Sequence, residues 1–103
     1  MNIEIYPGCF DEGLRIFHYG IVVNPKARIG KNCKLHGNNC IGNNGTDPGA
    51  PIIGDDVDIG FGAVVIGNVV IPDGTVIGAN AVVCRSIEGD GHVVVGIPAK
   101  IIQ

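Results

Sequence analysis

The sequence has no Trp, only three Phe and two Tyr, and charged residues fill just 17% of its 103 positions. These scarcities exclude several function classes. The net charge is −3, and there is no basic run and no interleaving of Arg with aromatics. That argues against a nucleic-acid surface, which needs clustered cations. No apolar stretch approaches the roughly 18 residues needed to span a membrane as a helix. The first residues, Met1 to Gly8, lack the basic start and apolar centre of a signal peptide. A cytoplasmic protein is therefore expected. Cysteine is present four times, as Cys9, Cys33, Cys40 and Cys84, but without a Cys-x-x-Cys pair. Nothing indicates secretion, so small buried thiols are expected rather than a disulfide framework.

Glycine and aliphatic residues are plentiful. Gly occurs 17 times, Pro six times, and hydrophobic residues make up 46% of the chain. So much Gly suggests disorder, but abundant Val and Ile provide apolar surface to bury. Their β-branched side chains favour strands.

The order of these residues is periodic. Written in sixes from Val23, the first positions are Val23, Ile29, Leu35, Ile41, Ile53, Ile59, Val65, Ile71, Ile77 and Val83. All are aliphatic. Asp47 alone breaks the series, within the turn-rich loop 43–51. Fifth positions are small or branched: Ala27, Cys33, Asn39, Val57, Ala63, Val69, Thr75 and Ala81. Second positions are often Gly or Pro, as at Gly30, Gly42, Gly54, Gly60, Pro72 and Gly78, where Gly is expected to relieve strain in a turn. A period of six fits neither a helix nor a simple alternating strand. It fits short strands joined by corners, three sixes to a triangular coil of about 18 residues, with coils stacked at roughly 4.8 Å.

This pattern resembles the hexapeptide-repeat β-helix. The expected fold is therefore all-β: a single-stranded, left-handed parallel β-helix, one domain over 1–103, with repeats clearest at 23–88 and an extension at 89–103. The left hand comes from the resemblance, because crossovers between parallel strands are ordinarily right-handed. Four to five coils make a short prism with flat apolar sides and open ends. Proteins of this class usually pack such sides into trimers, so a homotrimer is expected.

Histidine is the acid–base candidate near neutral pH. His18 and His36 lie one 18-residue coil apart, each one place after a first position if the register extends back to position 17. That predicts that they stack on one outer side. His92 sits in a Gly-rich stretch and reads as a surface residue.

The segment Ile16-Phe17-His18-Tyr19-Gly20-Ile21-Val22-Val23 resembles the serine acetyltransferase segment Leu-Asp-His-Ala-Thr-Gly-Ile-Val-Val. The resemblance implies an acetyl-CoA-dependent O-acetyltransferase, with His18 as the base that deprotonates the acceptor hydroxyl. A carboxylate upstream orients this His in the family; Ile3-Glu4-Ile5-Tyr6-Pro7 aligns there and makes Glu4 the candidate, with a solvated Glu as the alternative. Family members hold acetyl-CoA along a ladder of turn positions one coil apart, which by alignment are Asn43, Phe61 and Ala79. Gly96-Ile97-Pro98-Ala99-Lys100 matches the family's Gly-Val-Pro-Ala-Lys/Arg ending and makes Lys100 a candidate for the CoA phosphates.

The departures bear on the acceptor. Phe17 stands where the family places an Asp, and Gly49-Ala50-Pro51 lacks the family's Arg-His pair. The family's N-terminal helical domain has no counterpart in this sequence, and Phe61 replaces the usual Ala. Serine is thus an unexpected acceptor, and a sugar or another hydroxyl compound is preferred. Two other readings remain. One is a catalytically degenerate scaffold subunit. The other is a γ-class carbonic anhydrase, for which three converging His are needed and no third lies near His36. No metal is expected: in the run Cys33-x-x-His36-x-x-x-Cys40, Cys33 points inward and His36 outward.

Overall fold

A computed structural model describes residues 3–103. Its strands follow one another in short steps: β1 (Ile3–Glu4), β2 (Arg15–Ile16), β3 (Ile21–Val23), β4 (Arg28–Ile29), β5 (Lys34–Leu35), β6 (Cys40–Gly42), β7 (Ile52–Ile53), β8 (Asp58–Ile59), β9 (Val64–Ile66), β10 (Val70–Ile71), β11 (Val76–Ile77), β12 (Val82–Val83), β13 (Val93–Val95) and β14 (Lys100–Ile101). No helix occurs among the described residues. The strands form three sheets, the faces of a prism. The first face is β1-β3-β6-β9-β12, the second β4-β7-β10, and the third β2-β5-β8-β11-β13-β14. The chain visits first, second and third face in turn, so each circuit is one coil.

The six-residue period is the structural unit. Every aliphatic first position from Val23 to Val83 is buried, at 3% exposure or less. The fifth positions are buried beside them. Strands of two or three residues suffice because each contributes one inward side chain to a core column and then turns.

Turn strain is carried elsewhere than expected. The left-handed backbone falls at fourth positions: Asn32, Asn38, Asp56 and Asn80 have φ between 48° and 60°. Asn and Asp tolerate that region better than other side chains. Glycines at second positions serve space instead. A Cβ on Gly60 would lie 2.7 Å from the Ala79 nitrogen of the next coil.

Asn39 is the polar exception in the core, at 1% exposure. Its Oδ1 accepts from the Gly37 N–H at 3.0 Å, and its Nδ2 donates to the carbonyls of Gly60 (2.9 Å) and Ala63 (2.8 Å). The side chain thus ties two coils together with no polar atom left over. Asn39→Ala strands a buried N–H and two carbonyls and is expected to cost about 2–4 kcal/mol. Chemical denaturation of the variant checks this; a loss below 1 kcal/mol would mean that water replaces the amide.

Register departs from a uniform 18. Ile3 pairs with Ile21 and Val22 with Cys40, but Cys40 pairs with Val64, a step of 24. The second and third faces make the same step, Arg28 to Ile52 and Lys34 to Asp58. The six extra residues belong to the loop 43–51, which binds its own backbone: Asn44 Oδ1 accepts from the N–H groups of Thr46 and Asp47, and Asp47 Oδ1 from that of Gly49. A smaller irregularity lies upstream. Arg15 pairs with Lys34 and Ile16 with Leu35, a step of 19. The inward position is therefore Ile16 and not residue 17, a step of seven rather than six before Val23.

The extension 89–103 also belongs to the coil. β13 adds to β11 in parallel, Val76 to Val93, and β14 then turns back antiparallel on β13. The sheet is thus not parallel throughout. This last reversal covers an edge that a purely parallel coil leaves open. Among the cysteines, Cys9 and Cys33 are buried, Cys40 is half-buried and Cys84 is exposed, so the expectation of buried thiols fails at Cys84. Burial pushes the Cys33 thiol up, and Asp55, Asp56 and Asp73 add to the effect.

Candidate active site

The corner between the third and first faces gathers the candidate chemistry. Its successive levels are 17–20, 36–39, 60–63 and 78–81, each entered from a third-face strand and left into a first-face strand. Backbone hydrogen bonds show which residues stand above one another. The Asn38 N–H donates to Tyr19 O (2.8 Å), the Gly62 N–H to Gly37 O (2.8 Å) and the Asn80 N–H to Phe61 O (2.9 Å). The column is therefore Tyr19, Gly37, Phe61, Ala79.

Asn43 does not belong to this ladder. It follows β6, so it lies at the corner between first and second faces, one level beside Gly67, whose N–H donates to Gly42 O. Counting back 18 from Phe61 reaches Asn43, but the inserted loop makes the step 24 and the true counterpart Gly37. Phe61 and Ala79 do stand in register. Neither of their N–H groups has a protein acceptor among the described residues, whereas the Gly37 N–H is taken by Asn39.

His18 and His36 do not stack either. The extra residue after Ile16 places Phe17 over His36, with ring centroids 4.8 Å apart and planes at 20°. His18 instead meets Phe61 edge-on, centroids 6.0 Å apart at 82°. His18 is exposed, with Phe61 beside it. Glu4 pairs with Val22 on the first face and is exposed. Among the described residues no hydrogen bond joins it to His18.

Gly37 makes the contact between these levels possible. Its φ is 132°, and a Cβ there would lie 2.6 Å from His18 Cβ and 2.9 Å from Phe61 Cε2. Gly37→Ala is expected to destabilise by about 1–3 kcal/mol and to push His18 and Phe61 apart. A melting curve together with the His18 ring resonances checks this; unchanged resonances would show that the corner absorbs the methyl group.

A His–carboxylate pair that sequence reasoning missed lies in the same corner. His36 Nε2 donates to Asp58 Oδ1 at 2.6 Å. The signal was available only through the 24-residue step, which sets Asp58 opposite Lys34, two places before His36. His92 is committed elsewhere: its Nδ1 donates to the Gln103 carbonyl at 2.8 Å. Lys100 lies on β14, paired with Val95 at the end of the prism. It borders a groove of about 600 Å³ with Arg85, Ser86, Ile87 and Pro98.

No protein-family model matches the chain. Curated relatives do. The serine acetyltransferase of Staphylococcus xylosus is 40% identical over 107 aligned positions, 99% of this chain and 49% of the relative. That of Synechococcus elongatus is 36% identical, over 98% of this chain and 43% of the relative. Among solved structures, soybean serine acetyltransferase complexed with serine superposes with a TM-score of 0.77 at 33% identity, over 88% of this chain and 40% of that one. Serine acetyltransferase from Brucella abortus in complex with coenzyme A gives 0.78 at 31%, over 88% and 39%. The chain thus spans about half the length of the curated relatives it matches. In sequence and fold it is similar to serine acetyltransferases, and its all-β coil matches their left-handed β-helix.

Proposed function

We propose that this chain, serine acetyltransferase-like over nearly its whole length, carries out acetyl-CoA-dependent O-acetylation of a sugar or another non-serine hydroxyl compound. The observation that carries this reading is the corner, where His18 meets the Phe61 ring and the N–H groups of Phe61 and Ala79 stand one coil apart without protein acceptors among the described residues. Such a ladder suits the amide-bearing pantetheine arm of acetyl-CoA, which supplies an activated acetyl thioester. The groove at the prism end, with Lys100 and Arg85, suits its phosphates. A relative solved with coenzyme A supports the same donor.

His18 accepts the hydroxyl proton as the acceptor oxygen attacks the thioester carbonyl carbon. A C–O bond forms and the C–S bond breaks. The proton then passes from His18 to the leaving thiolate, so the products are an acetyl ester and the CoA thiol. Glu4 is the proposed partner orienting His18. Four free cysteines, one of them exposed, suit the reducing cytoplasm.

The acceptor assignment rests on Phe17, an exposed apolar ring directly before the base, which itself supplies no charge to pair with a serine zwitterion. A relative solved with serine makes serine the necessary control. Homotrimer formation is supported by the apolar columns Val22, Cys40, Val64 and Val82 on the first face and Ile52 and Val70 on the second. The test is release of free thiol from acetyl-CoA with serine, monosaccharides and nucleotide sugars, alongside calorimetric titration of CoA. Acceptor-dependent thiol release supports the reading. Absence of both turnover and CoA binding overturns it and leaves a β-helical scaffold.

A further inference from the structure

We propose that His36, Asp58 and Phe17 form the acceptor-binding element, and that its ligand is a pyranose presenting a hydroxyl to His36 Nδ1 and a second hydroxyl to Asp58. This rests on the acetyltransferase reading and goes beyond it by assigning the residues that recognise the acceptor.

Chemical state comes first. With His36 Nε2 donating to Asp58 Oδ1, the neutral ring carries its free lone pair on Nδ1, which has no partner among the described residues. Asp58 Oδ2 has none either. The pair therefore offers two fixed acceptors, the arrangement that suits two hydroxyl donors on one ring. A charge-assisted bond from a sugar hydroxyl to the carboxylate is stronger than one to a neutral group.

Exposure supplies the second argument. The two side chains are 38% and 35% exposed, so the pair is neither sealed in the core nor fully solvated. A bond that only held adjacent coils together would gain little here, because the backbone ladder from His36 N–H to Ile59 O already joins them.

Placement is the third. All five aromatic residues of the chain are exposed, and three of them gather at this corner: Phe17 at 47%, Tyr19 at 58% and Phe61 at 45%. Large aromatics normally bury much of their surface. Here Phe17 lies flat on His36, which keeps the imidazole from rotating, while Phe61 contacts His18. Aromatic faces suit the C–H face of a sugar ring, while the pair takes its hydroxyls. His18 stands in the same corner, so it is a further hydroxyl of a ring held here, not the one bound to His36, that His18 deprotonates.

The test uses the full chain and its variants His36→Gln and Asp58→Asn, each checked for native circular dichroism. Binding of glucose, galactose and N-acetylglucosamine is read by saturation-transfer NMR, with CoA binding measured separately by calorimetry. The expected result is monosaccharide contact in the wild type, lost in both variants, with the dissociation constant for CoA within about twofold. In turnover, acceptor KM should rise at least tenfold while KM for acetyl-CoA stays unchanged; a merely structural role would move both together. Wild type that binds CoA but no monosaccharide overturns the inference and leaves the acetyltransferase reading standing. Monosaccharide binding that persists in the variants overturns it equally. Monosaccharide binding lost in the variants, without any CoA binding, retains the sugar site and overturns the transferase.

Discussion

Replacing His18 by Ala is expected to lower acceptor-dependent acetyl transfer by about 10²–10⁴-fold, the usual contribution of a positioned general base. The effect should fall on turnover and leave CoA affinity nearly unchanged, since the donor is proposed to rest on the N–H groups of Phe61 and Ala79. His18 is exposed and contributes no side chain to the core, so the variant should melt close to the wild type. Its one aromatic contact is the edge of Phe61, and a loss of that kind is worth about 1 kcal/mol or less. The measurement is thiol release from acetyl-CoA at saturating acceptor, paired with calorimetric titration of CoA. A variant that retains a third or more of wild-type turnover would remove His18 from the mechanism. The corner would then hold a second base candidate, His36, already oriented by Asp58.

Ile59→Ala should produce the largest loss of stability. Ile59 lies on β8, fully buried, paired with Leu35 on one side and Ile77 on the other. It therefore sits mid-column, where each coil is supported only by its neighbours. Removing three carbons at such a site costs about 2–5 kcal/mol, depending on how far the surroundings collapse. In a chain of this size each kcal/mol lowers Tm by about 4–8 °C, so a fall of about 8 °C or more is expected. The matched control is Val76→Ala, on the outward side of the neighbouring strand and 39% exposed, which should change stability by about 0.5 kcal/mol or less. Equal losses in the two variants would contradict the assignment of inward and outward sides. Thermal and urea unfolding of both, at the same protein concentration, decide it.

The donor and acceptor proposals separate in these experiments because they use different atoms of one corner. Backbone N–H groups at Phe61 and Ala79 are indifferent to side-chain replacement elsewhere, whereas His36 and Asp58 act through their side chains. Gly37 couples the two: it leaves the space in which His18 and Phe61 meet and carries the φ of 132° that a side chain resists. Its substitution is the one change at this corner expected to disturb both stability and geometry.

The core was legible in the sequence because inward position depends on a short local count. Each strand of two or three residues places one side chain inward and then turns, so a period of six marks Val23, Ile29, Leu35 and their successors whatever happens elsewhere. His18 and Lys100 are candidates through resemblance, which compares local segments. The site was less legible because its residues lie on different coils. Which side chain stands over which depends on the number of residues in the whole circuit between them, and two circuits depart from 18. The loop 43–51 lengthens one to 24, which moves Asn43 off the ladder, puts Gly37 in its place and brings Asp58 to His36. The extra residue before Val23 lengthens another to 19, so that Phe17 rather than His18 covers His36. An insertion of six preserves the inward pattern and an insertion of one is absorbed in a corner, so neither disturbs the local count. The first shifts the contacts on all three faces and the second those on the third face, and these contacts, which set the geometry of the corner, were decided only in the tertiary structure.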